Sequence, residues 1–128
     1  MSNERRIVST PRAPAALGPY SQGVVAGGFV FTAMQIPLDP ETGVLAPDDV
    51  QSQTRQVLQN VGAILEAAGS SLDRTVKVTL YLRDLADFAA VNEVYATFFP
   101  GEPPARAVVE VSHLPRGARI AAEAIALA

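Results

Sequence analysis

The 128-residue sequence has no cysteine, no tryptophan and a single histidine, His113. Without a thiol there is no disulfide framework, thiolate nucleophile, iron–sulfur cluster or zinc ribbon. One histidine excludes a multi-histidine metal site within the chain, and no Gly-x-Ser-x-Gly elbow accompanies it for a hydrolytic triad. Long apolar runs are also missing, since no stretch approaches the ~20 residues that cross a bilayer. Met1–Arg6 holds two arginines with no apolar stretch behind them, so no export signal is expected. Together with the absent cysteine this sets a cytoplasmic expectation. A basic excess is lacking too: 10 Lys and Arg stand against 13 Asp and Glu, a net charge of −3. Nucleic acid, which is held through phosphate contacts, is therefore a disfavoured partner. The chemistry left is that of Arg, Asp, Glu, Tyr, Ser, Thr and main-chain groups.

What is present is a globular composition, 48% hydrophobic and 18% charged. At ~100–200 residues per domain this predicts a single domain over residues 1–128. Arg5–Ser9, Ser21–Ala26 and Phe29–Ala33 read as strands, the last two joined by a Gly27-Gly28 hairpin turn. A loop punctuated by Pro37, Pro40, Gly43 and Pro47 follows. From Asp49 to Ala68, Val50, Thr54, Val57, Leu58, Val61, Ile64, Leu65 and Ala68 recur along one helical face. Asp48 is the expected N-cap, with Gln51 completing a capping box, and Gly69 occupies the position past the helix end.

Thr75–Leu82 alternates as a strand, with Val76, Val78, Leu80 and Leu82 on one side. Asp87 is the expected cap of a second helix, whose core face is Phe88, Val91, Tyr95, Phe98 and Phe99. Ala105–Ser112 and Arg119–Leu127 complete a β-β-β-α-β-α-β-β order. Two helices cover one face of such a sheet, yet the last two strands have no fully polar side. Ala107, Val109 and Val111 share one face of the fifth strand, and Ala121, Glu123, Ile125 and Leu127 share one face of the sixth. Self-association is the natural cover for the second face, and it would place Arg106 and Glu123 in or near an interface.

Pro104-Ala105-Arg106-Ala107 followed by Val108-Val109-Glu110-Val111 resembles a motif of the RidA (YjgF-type) reactive-intermediate deaminases. Ordered matches extend the resemblance over almost the whole chain. They are Gly18-Pro19-Tyr20-Ser21-Gln22-Gly23, Gln35-Ile36-Pro37, Gln53-Thr54-Arg55-Gln56-Val57-Leu58 with Asn60-Val61, Asp84-Leu85 with Phe88 and Val91-Asn92, and Glu123-Ala124-Ile125-Ala126. The resemblance implies an α+β, chorismate-mutase-like fold: one mixed sheet backed by two helices, in a homotrimer whose sheets face inward. It also implies cofactor-free hydrolysis of small 2-imino acids, such as 2-iminobutanoate and 2-iminopropanoate, to 2-oxo acids and ammonia. The substrates, or their enamine tautomers, are products of pyridoxal-phosphate enzymes.

Carried over position by position, the resemblance implies that Arg106 binds the substrate carboxylate. A planar guanidinium fork suits two carboxylate oxygens. Glu123 would orient the attacking water, its ionised form favoured by a nearby Arg106. Tyr20 would reach the cleft from a neighbouring subunit, Asn92 would support the pocket, and the Val108 main chain would line it. Three positions depart from the family pattern. Ala33-Met34 replaces Ser-Gly, so Met34 is expected to narrow or reshape the pocket; Val108 replaces a cysteine; Ala122 precedes the last-strand glutamate. Structural alternatives stand beside these roles. Arg106 could be an interface ion-pair partner of Glu110 or Glu123, Glu123 a solvated strand residue, and Tyr20 a turn aromatic. Competing functions are a non-catalytic carboxylate-binding regulatory module and an RNA-cleaving activity.

Overall fold

The structure, a computed structural model, describes residues 4–128. The reading of Met1–Arg6 therefore lies partly outside it. The strands are β1 (Arg6–Val8), β2 (Gly23–Ala26), β3 (Phe29–Thr32), β4 (Thr75–Leu82), β5 (Ala105–Glu110) and β6 (Ile120–Leu127); the helices are α1 (Val50–Ala67) and α2 (Phe88–Phe98). They build one mixed six-stranded sheet in the order β1-β2-β3-β6-β4-β5. Only β4 and β5 run parallel, joined by the α2 crossover. The hairpin turn has positive φ at both Gly27 and Gly28, the conformation a two-residue turn requires.

Both helices lie on one face. α1 buries Val57, Leu58, Val61, Ile64 and Leu65 against Val30, Val78, Leu80, Ile120, Ala122, Ala124 and Ala126. Alanines on the inner side of β6 let α1 approach the sheet closely. Gly23 serves the same end, because a Cβ there would stand 2.8 Å from Ile64 Cγ2. A side chain there would force Ile64 to shift.

Several expected details change. Asp49, not Asp48, caps α1, its carboxylate accepting from the Gln51 and Ser52 amides. Asp48 is drawn off by Arg119, whose Nε donates to it at 2.8 Å. The Gln51 side chain crosses to α2 instead of folding back into a capping box. Asp87 makes no capping hydrogen bond; it faces Arg119 at 4.0 Å, while Asp84 caps the short 3₁₀ turn that leads into α2. Gly69 is left-handed (φ 87°), as expected past a helix end. Phe88 is exposed rather than core, because it sits at the start of α2 beside the sheet edge. Arg6 is exposed on β1, and its Nη2 donates to Ala68 O at the end of α1.

The second face of the sheet is only partly covered. Leu114, Ala118 and Ala121 form a small cluster there with Ile36, Leu45, Tyr81 and Val111. Phe29, Phe31, Val109 and Leu127 remain exposed. Together these four side chains make a broad apolar surface.

Candidate active site

Arg106 pairs in register with Val78, so its side chain leaves β5 on the helix face, beneath α2. There its Nη1 donates to Asn92 Oδ1 at 2.8 Å. The guanidinium carbon lies 5.4 Å from the centre of the Phe88 ring and 4.8 Å from that of Tyr95. Every one of these partners is neutral. Among the described residues no carboxylate stands within ion-pair distance of Arg106. Glu110, one alternative partner, accepts from the Leu85 amide instead. The result is a half-buried cation, oriented by an amide oxygen and two ring faces, on the wall of a recess of about 420 Å³ shared with Asn92, Pro103 and Pro104. Tyr95 is buried with no hydrogen-bond partner for its hydroxyl. Burial raises its pKa, partly offset by the Arg106 charge.

Val108 packs its side chain onto the core from the same edge strand. The Val111 amide donates to Leu82 O, so odd-numbered β5 residues turn their main chain toward β4. By the alternation of a strand, the N–H and C=O of Arg106 and Val108 point to the open edge of the sheet.

Glu123 lies opposite Thr79 on β6. That register places it on the face away from the helices, whereas Arg106 is on the helix face. The expected proximity of the two charges is therefore absent within one chain. Glu123 is half-buried and lines a shallow recess of about 230 Å³ with Phe31, Lys77, Thr79 and Ile125. Its Oε1 accepts a hydrogen bond from Tyr81 Oη. Sequence reasoning assigned Tyr81 only to the outer face of β4; its proximity to Glu123 depends on a cross-strand register that no local pattern announces.

Tyr20 and Met34 line a third recess, about 430 Å³, with Leu17, Ile36, Pro115 and Arg116. Tyr20 is 51% exposed and Met34 38%, so both are available from outside the chain. Met34 owes its position to a bulge. Phe31 faces Ile125 and Gln35 faces Ala122, which leaves one residue more on the β3 side. Gln22, just before β2, ties residues 10–14 in place: buried, it accepts from Thr10 N and donates to the carbonyls of Thr10, Ala13 and Pro14. His113 is exposed and lines none of the three recesses.

The six residues singled out in the sequence thus fall into three places in one chain. Arg106, Asn92 and Val108 sit at the β5 edge, Glu123 on the open face, and Tyr20 and Met34 in the loop-lined recess. No group of three or more potential metal-binding side chains occurs among the described residues. No helix among them is long and apolar enough to cross a membrane.

The two-helix, six-strand frame is shared with solved structures of a recognisable class of proteins. Residues 10–128 match the family described as endoribonuclease L-PSP, and the chain belongs to that family, the RidA (YjgF-type) proteins. A RutC family protein of Pyrococcus horikoshii is 54% identical over 122 residues, covering 95% of this chain and 97% of its own. The 2-iminobutanoate/2-iminopropanoate deaminase of mouse is 47% identical, covering 96% of this chain and 91% of its own. The crystal structure of Escherichia coli TdcF with bound serine superposes with a TM-score of 0.92 at 47% identity, covering 96% of this chain and 98% of that one.

Proposed function

We propose that this protein hydrolyses small 2-imino acids, or their enamine tautomers, to 2-oxo acids and ammonia without a cofactor. The observation that carries the reading is the Arg106 guanidinium, held at a recess by neutral partners alone. A cation fixed in advance and left without a counter-charge is suited to take a carboxylate ligand in a bidentate pair. Relatives named 2-iminobutanoate/2-iminopropanoate deaminase, and the serine bound to TdcF, agree with a small amino-acid-like ligand.

The residues divide the work simply. Arg106, steadied by Asn92, holds the substrate carboxylate, and the outward N–H of Val108 offers a further donor. Glu123 accepts a hydrogen bond from a water and aims it at the C=N carbon. As the C–O bond forms to the protonated imine, the C=N π pair moves onto nitrogen and the water's proton passes to the Glu123 carboxylate, giving a neutral carbinolamine. Glu123 returns that proton to the nitrogen; the C–N bond then breaks with release of ammonia, the carbinolamine hydroxyl gives up its proton, and the C=O of the 2-oxo acid closes. Imines already hydrolyse in water, so orientation and charge placement suffice. Tyr20 and Met34 bound the side-chain end of the pocket, with Met34 restricting its width.

This division requires more than one copy of the chain, since the three groups of residues do not meet within one. A homotrimer with its sheets inward would cover Phe29, Phe31, Val109 and Leu127 and bring the recesses of neighbouring copies together. Enzymes that release 2-imino acids, the pyridoxal-phosphate-dependent eliminases, are the functional partners in this reading. The family description favours RNA cleavage as a second reading, but the one histidine lines none of the three recesses described above.

The test is to generate the imine with threonine dehydratase and follow its loss with purified protein. Arg106→Ala should lower kcat/KM about tenfold to a hundredfold, the effect of losing a charge-assisted pair worth roughly 1.5–3 kcal/mol. Arg106→Lys should recover little of it, because an ammonium lacks the planar fork. An Arg106→Ala protein that keeps the full rate overturns the mechanism.

A further inference from the structure

Glu123 is one of a pair. Tyr81 lies two residues along β4 from Thr79, the cross-strand partner of Glu123, and so occupies the diagonal position on the same face. Its ring is half-buried against the Leu114–Ala118–Ala121 cluster, which fixes the direction of the phenol. From there Oη donates to Glu123 Oε1. The hydrogen bond to Glu123, then burial, pushes the Tyr81 pKa up to about 12, so the hydroxyl remains a donor throughout the neutral range.

We propose that Tyr81 is a positioning residue for the water-orienting glutamate: by occupying Oε1 it fixes the carboxylate plane and leaves Oε2 to hold the water. This rests on the role given to Glu123 under the proposed function. A glutamate with three side-chain torsions on an open sheet face would otherwise sample many orientations. One anchored oxygen reduces them to the set that a second hydrogen bond can select. Tyr81 touches neither water nor substrate in this arrangement and acts only through Glu123.

The experiment is a double-mutant cycle on turnover, using Tyr81→Phe, which keeps the ring and removes only Oη, and Glu123→Gln. Tyr81→Phe should reduce kcat about tenfold with KM changed by less than about twofold, since carboxylate binding by Arg106 is untouched. In the Glu123→Gln background the same change should cost almost nothing, because the group it positions is already disabled. Equal losses in both backgrounds overturn the proposal and assign Tyr81 to folding, which thermal melts of the four proteins would register. Full turnover in Tyr81→Phe beside a crippled Glu123→Gln also overturns it, while leaving the deaminase reading intact. Full turnover in Glu123→Gln removes the glutamate's role and this proposal together.

Discussion

Replacing Gln22 by leucine isolates what ties residues 10–14 to the chain just before β2. The Gln22 amide is 4% exposed; it accepts from Thr10 N at 2.7 Å and donates to Thr10 O, Ala13 O and Pro14 O at 3.0, 3.2 and 2.8 Å. Two N–H groups serve three carbonyls, so the set counts as about three hydrogen bonds. At ~1 kcal/mol net each, with a further penalty for the buried Thr10 amide left unpaired, the loss is about 3–5 kcal/mol. Leucine's own burial offsets roughly 1–2 kcal/mol of that. For a chain of this size the remainder lowers Tm by roughly 10 °C. Scanning calorimetry at one protein concentration would measure it, and that condition matters if copies associate. Gln22→Glu should be worse than leucine at neutral pH, since a carboxylate cannot donate to three carbonyls. That deficit should shrink as pH falls, because burial raises the folded-state pKa of such a group and protonation removes the charge. A leucine variant melting within about 2 °C of the parent would refute the reasoning.

Gly23→Ala should cost about 1–3 kcal/mol by urea unfolding, since the new methyl would press on Ile64 Cγ2 at 2.8 Å and on Phe31 O and Val8 Cβ at 3.4 Å; unchanged stability would mean that α1 shifts freely. Asp49→Ala should destabilise the protein at pH 7 through loss of the α1 cap. The Ser52 side chain, then its amide, hold the Asp49 carboxyl below the usual 3.8. A lowered folded-state pKa adds stability above the unfolded value and loses it as pH falls through the folded one. The gap between parent and variant should therefore begin to close as pH falls below about 4 and close fully only below the folded-state value, and a gap that does not narrow at all over that range would point to a role other than the charged cap.

The elements with an unbroken period were legible before any coordinates. The α1 stripe from Val50 to Leu65 and the alternation from Val78 to Leu82 repeat over enough residues for burial to have one solution, whereas Val76, read onto the same side, is exposed at the register shift between Thr75 and Lys77. The caps were not, because Asp48 and Asp49 are equivalent locally and the choice is made by Arg119, far along the chain. β5 ends at Glu110, where the glutamate turns to bind the Leu85 amide. For the site, motif resemblance picked out Arg106 and Glu123 as residue types in context. Which face each occupies follows from β6 lying between β3 and β4, a long-range arrangement that leaves no periodic trace. Tyr81 escaped notice for the same reason.

The position of β6 also bears on how the protein comes into being. The final strand is the seam of the sheet: without it β1-β2-β3 and β4-β5 are two ribbons with no hydrogen-bonded connection. During synthesis both ribbons must therefore wait until residues 120–127 have been added. The strand that closes the seam also carries Glu123, so a chain cut before residue 120 would lack the continuous sheet and the carboxylate together.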